Sequence, residues 1–160
     1  MTRARGWKMA ALLAGALVLV GSAGCGGGSR LSKSAYEKKV RADGQHIKAT
    51  FQTLTGSNLS SLDQMAHQLG KGQAELRKAA DDLDGVKAPK DVEADNDKLV
   101  KGLRALADDL EGLKKGAAEG DPKKVQRAAA KLQHSSALKE AQAATSDMKS
   151  KGYKIGELGS

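Results

Sequence analysis

From Val92 to Ala117 one pattern holds: Val92, Asn96, Leu99, Leu103, Leu106, Leu110, Leu113 and Ala117 follow one another at alternating steps of four and three. An α-helix turns by about 100° per residue, so this alternation places all eight on a single stripe. Seven of the eight are apolar, and a stripe that long must be covered. A second stretch carries the same logic at a seven-residue period: Leu62, Leu69, Leu76 and Leu83, with Met65, Gly72, Ala79 and Val86 three places behind each. Two such seams in one chain predict an all-α fold whose long helices lie against one another.

Punctuation residues divide the rest. A first helix is predicted from about residue 32 to 54, with Tyr36, Val40, Gly44, Ile47, Phe51 and Leu54 on one face and Ser34 and Glu37 spaced as a capping box. Thr55-Gly56-Ser57-Asn58 breaks it, and a second helix spans about 59–86. Pro89 disfavours helical geometry at Ala88, so a third helix starts near Asp91 and runs to about Ala118. Asn96 lies near its start, where a solvent-facing side chain is expected; a buried asparagine that fixes register is the alternative. In Gly120-Asp121-Pro122, glycine closes the third helix, aspartate caps the fourth and proline suits its first position. The fourth spans about 122–151, with Val125, Ala128, Ala129 and Leu132 on one face. Leu138, Ala141, Thr145 and Met148 lie on another face, displaced by more than a quarter turn. A stutter or kink near Ser135-Ser136 would bring both to the core. Short breaks make neighbours antiparallel, which gives an up-down-up-down four-helix bundle over 32–153, with a frayed tail at 154–160.

The N-terminal segment is of another kind. Arg3, Arg5 and Lys8 precede the apolar run Met9–Val20, which small residues follow as far as Cys25. That order is the order of a secretory signal peptide, and the run is shorter than the ~20 residues a membrane-spanning helix needs. Ser22-Ala23-Gly24-Cys25 resembles a bacterial lipobox. The resemblance implies cleavage after Gly24, a diacylglyceryl group on the Cys25 sulfur and acylation of the new amine. Ser22 stands where lipoboxes usually carry Leu, Val or Ile, so cleavage to a free secreted protein is the alternative. Residues 25–31, rich in glycine, read as the lipidated cysteine and a flexible tether.

The mature chain also resembles small actinobacterial-type secreted lipoproteins of unknown function. The residues in question are Leu31-Ser32-Lys33-Ser34-Ala35-Tyr36 at the start, Pro89 at the middle break, Gly120-Asp121 before the last helix and Gly152-Tyr153 at the end. Such relatives often link their first and last helices through a cysteine pair, which this chain lacks. The resemblance implies a helical bundle anchored outside the cell and supplies no activity.

Composition narrows the function classes. Without Arg3, Arg5 and Lys8, 24 basic residues face 19 acidic ones, an excess of +5. With Tyr36, Phe51 and Tyr153 as its only aromatics, the mature chain has no platform for stacking bases. Neither a nucleophile–base pair nor a phosphate-cradling glycine loop stands out, so no catalytic residue and no cofactor are expected. His46, His67 and His134 lie on helices one, two and four, but without the Glu-x-x-His pairs of di-iron bundles they read as surface residues and not as metal ligands. Asp91, Glu93, Asp95 and Asp97 alternate as in a calcium loop, yet Asn96 and Gly102 occupy the places that need glycine and glutamate. Acidic residues at a helix start suit its dipole instead. The basic groups Arg30–Arg41 and Lys149–Lys154 share one end of the bundle with the acids of 81–97, so mutual neutralisation is expected, with contact to anionic headgroups as the alternative. The function read from these features is a non-catalytic, membrane-anchored helical face presented to a protein partner. The alternative is a small-ligand or metal carrier with an interior site, against which stands that such a site needs convergent polar groups, whereas these seams read as filled by Leu and Ala.

Overall fold

The computed structural model describes residues 29–56 and 61–156. It is all-helical, with no strand among the described residues: α1 (Lys33–Gly56), α2 (Leu62–Asp84), a 3-10 turn (Lys90–Val92), α3 (Glu93–Ala118), α4 (Pro122–Gln133) and α5 (Ser136–Ser150). Four helical arms pack together, α4 and α5 forming the last in two pieces. Cys25, the leader before it and Ser57-Asn58 lie outside the described residues.

Most of both seams is buried, with Leu62, Met65, Val86 and Leu106 covered only in part. Leu69, Gly72, Leu76, Ala79 and Leu83 on α2 meet Leu99, Leu103, Leu110 and Leu113 on α3 in one core. Yet α3 is buried well beyond its seam. Val100 and Ala107 lie to one side of it, Gly102 and Gly116 to the other, an arc of about 200° at the helical turn per residue. The cause is position: α3 alone touches α2, α4, α5 and the 3-10 turn, while α1 packs mainly on α2.

The glycine side of α3 receives α4 and α5. A Cβ on Gly102 would stand 3.0 Å from the Ala141 Cβ, and one on Gly116 would stand 2.9 Å from the Val125 nitrogen. Absent side chains let the backbones approach that closely. Gly120 and Gly152, at φ +65° and +79°, end α3 and α5 with paired hydrogen bonds. In the first, Gly120 N–H donates to Ala117 and Asp121 N–H to Gly116; in the second, Gly152 donates to Lys149 and Tyr153 to Met148. Asp121 then caps α4 by accepting from Lys123 and Lys124, with Pro122 opening that helix.

Several expectations need correction. The fourth helix is not continuous: it stops at Gln133, and buried Ser135 restarts it by accepting from the Ala137 and Leu138 amides while its hydroxyl donates to Asp109. The predicted change of face therefore occurs as a clean break. The α1 cap is Ser32, whose hydroxyl accepts from Ala35 N–H, and not Ser34. Glu37 is turned elsewhere, accepting from Lys154 N–H at 2.9 Å. That contact holds the tail, so Tyr153 and Ile155 belong to the core and the expected fraying does not begin at Lys154. Arg30 and Leu31 are likewise part of the folded body: Arg30 donates to the Ala88 carbonyl at 2.8 Å, and Leu31 N–H to Lys87 at 2.9 Å.

Asn96 is buried, not solvent-facing. Its Oδ1 accepts from the Tyr36 hydroxyl at 2.8 Å and its Nδ2 donates to the Leu83 carbonyl at 3.3 Å. A single amide thus joins the start of α1, the end of α2 and the start of α3. No helix among the described residues is long and apolar enough to cross a membrane.

Candidate apolar cleft

At the Tyr36 end, α1 is closed against the end of α5 and the segment that follows it. The Tyr36 ring meets Tyr153 edge to face at 6.0 Å, and its hydroxyl also reaches the Met148 sulfur at 3.7 Å. Tyr153 donates to the Asp91 carboxylate at 2.8 Å; burial and that carboxylate push its phenol up to about 12. Burial, then the neighbouring Tyr153 and acids, raises the Tyr36 phenol as well, so both tyrosines stay neutral donors. Around them Lys151 pairs with Asp95 at 2.6 Å, Arg30 with Glu93 at 2.8 Å and Lys39 with Asp82 at 3.9 Å. The basic and acidic groups at this end do neutralise one another in part.

Further along, the same two helices part. Ile47 and Phe51 on α1 form one wall of a cleft. Its floor is Leu76 of α2 with Leu103, Leu106 and Leu110 of α3; Leu132 of α4 with Leu138 and Ala141 of α5 form the opposite wall. The cleft holds about 210 Å³, and all nine of these side chains are apolar.

Gly44 sits on the α1 stripe one turn before Ile47, outside the lining, and nothing stands within 4 Å of where its Cβ would be. On the other side, the break at His134-Ser135 sends Leu132 and Leu138 toward the cleft from two separate helix ends. No residue of α4 is fully buried.

What the cleft can do chemically follows from its lining. The nine lining side chains offer no hydrogen bond or charge, so the cleft suits apolar matter. Other groups are placed elsewhere. His46 and His67 are exposed on α1 and α2; His134, expected on the fourth helix, is exposed in the break between α4 and α5. Among the described residues, no group of three or more His, Cys, Asp or Glu could hold a metal ion. Asp91 and Asp95, from the calcium-like run, are occupied by Tyr153 and Lys151. Asp43 is a buried carboxylate on α1 whose Oδ2 has no hydrogen-bond partner and lies 3.8 Å from Lys39 Nζ. Its burial raises its proton affinity above the usual carboxylate range, against the pull of Lys39.

No family model matches the chain, and no curated protein or solved structure is significantly similar to it. The cleft is the feature on which a function can be argued. Sequence reasoning counted its lining as filled core. The signal of an unfilled seam was the displaced face in the fourth arm.

Proposed function

We propose that this protein is an extracytoplasmic lipoprotein, anchored through a diacylglyceryl group on Cys25, that binds an apolar group in its cleft without transforming it. The arms form an antiparallel up-down-up-down bundle, α4 and α5 together making the last. The order of contacts supports this reading: Gly102 meets Ala141, Gly112 meets Ala128 and Gly116 meets Val125, so one number rises as the other falls. The tethered end is then the Tyr36 end, where Arg30 is held against Ala88.

The observation that carries the function is a cleft of about 210 Å³ with an entirely apolar lining. A neighbouring helix face would ordinarily fill such a space, since apolar surface left in water forfeits ~25 cal/mol per Å². Of the two classes open from sequence, a face for a protein partner and an interior carrier site, the cleft favours the carrier. The lipobox-like Ser22-Ala23-Gly24-Cys25 supports the anchor.

Mass spectrometry of the protein from its producing cell tests both halves. The expected result is a chain beginning at a lipid-modified Cys25, with a non-covalent apolar guest released on activation. An unmodified thiol or a retained leader removes the anchor. A guest-free chain that takes up no hydrophobic dye removes the carrier reading.

A further inference from the structure

We infer that the guest is the hydrocarbon end of a single membrane-derived acyl chain, inserted tail first with its polar head left outside. The inference rests on the reading of the cleft as the binding site and adds the class of ligand.

Size sets the scale of the guest. A whole helix, ~10 Å across with its side chains, does not enter a cleft of about 210 Å³, whereas a slim chain does. An apolar cavity of ~150 Å³ takes up benzene, so by the same measure this one accommodates about eight carbons. The lining excludes polar guests: a hydroxyl or amide placed between Phe51, Leu106 and Leu138 would find no partner for its hydrogen bonds. The cleft opens to solvent past the half-buried Ile47, Phe51, Leu106, Leu132 and Leu138, so a hydrocarbon end can enter it while a polar head stays in water. The chain outside the structure points to the source. From Cys25 to Ser29 is five residues, an extended reach of at most ~18 Å, so a lipid on Cys25 keeps the body at a bilayer surface. Acyl chains are the apolar groups most concentrated there.

The test uses residues 26–160, the mature chain of the proposed function without its lipid-bearing cysteine; every core residue among the described ones lies between Leu31 and Ile155. Straight-chain fatty acids of increasing length are titrated below their micelle concentrations, alongside anilinonaphthalene sulfonate as a flat aromatic probe. Affinity is expected to rise about fourfold per methylene, the equivalent of ~0.8 kcal/mol per buried CH₂, and to level off near eight. Leu138→Trp, which fills the slot from α5, is expected to weaken the longest acid at least tenfold. Leu132→Phe does the same from α4, and thermal melting monitors the fold of both variants. Affinity that climbs without levelling, or that both filled variants retain, overturns the proposal. Uptake of the aromatic probe with no uptake of fatty acids overturns the acyl assignment and leaves the carrier reading standing; uptake of neither removes both.

Discussion

The two places where α1 faces the last arm and its tail behave in opposite ways. At one end Tyr36, Met148, Tyr153 and Ile155 fill the space between them, and each polar tip named there has its partner: Tyr36 on Asn96, Tyr153 on Asp91, Glu37 on the Lys154 amide. At the other, Ile47 and Phe51 face Leu132 and Leu138 across about 210 Å³ of unfilled space. The difference is one of side-chain reach. Long aromatics span the gap at the closed end, whereas the fourth arm is broken between Leu132 and Leu138 at the cleft. Apolar patterning makes helices adhere, but it does not by itself fill the space between them.

The sharpest way to break this comparison is at the closed end. Tyr36→Ala removes a fully buried ring and leaves the Asn96 carbonyl oxygen without its donor, so a loss of about 3–5 kcal/mol is expected in urea or guanidinium unfolding. A loss below ~1 kcal/mol would mean that the closed end is no better packed than the cleft. Next in size is Gly102→Ala, whose Cβ would press on the Ala141 nitrogen at 3.0 Å and the Ala137 carbonyl at 3.2 Å. Overpacking there is expected to cost about 1–3 kcal/mol by the same measurement.

The open side should be forgiving. Leu138→Ala truncates a half-exposed side chain beside existing space, and a cost of about 1 kcal/mol is expected, well under that of Tyr36→Ala. Gly44→Ala adds a methyl group where nothing stands within 4 Å and removes a helix-interior glycine, so a gain of up to ~1 kcal/mol is expected in thermal melting. A loss instead would show that the space beside Gly44 is needed.

The smallest effect lies at the α1–α2 contact. Folding raises the proton affinity of Asp43, so the native state binds a proton more readily than the unfolded chain. Its stability therefore falls as pH rises from the usual carboxylate range through the raised value. Asp43→Asn removes that penalty. It should stabilise at neutral pH by roughly a few tenths of a kcal/mol, since the Lys39 attraction is lost with the charge, and the gain should vanish on acidification. Denaturation midpoints across pH 3–7 would read it, as an order-of-magnitude window around ordinary carboxylate titration.

Much of the fold was legible because helical periodicity is a local property. The α2 and α3 seams, the Gly120-Asp121-Pro122 junction and the discontinuity near Ser135 could be read from spacing and from residues with strong backbone preferences. Side chains with two plausible partners could not. Ser34 and Glu37 look like a capping box, but Ser32 takes the cap and the Lys154 amide takes Glu37. Asn96 looks like a surface residue until Tyr36, 60 positions earlier, is brought against it. The cleft was the least legible, since a residue that lines a space and one that fills it carry the same apolar signature.

By itself the sequence determined that this chain makes helices, which stripes of α2 and α3 face the core and where α3 must stop. Each of these depends on neighbours within one or two turns. Only the tertiary structure decided that α3 sits at the centre, that glycines at 102 and 116 admit the last arm, and that α1 closes on α5 at one end only. Those outcomes depend on whether volumes brought together from distant parts of the chain match, and no periodicity records a volume.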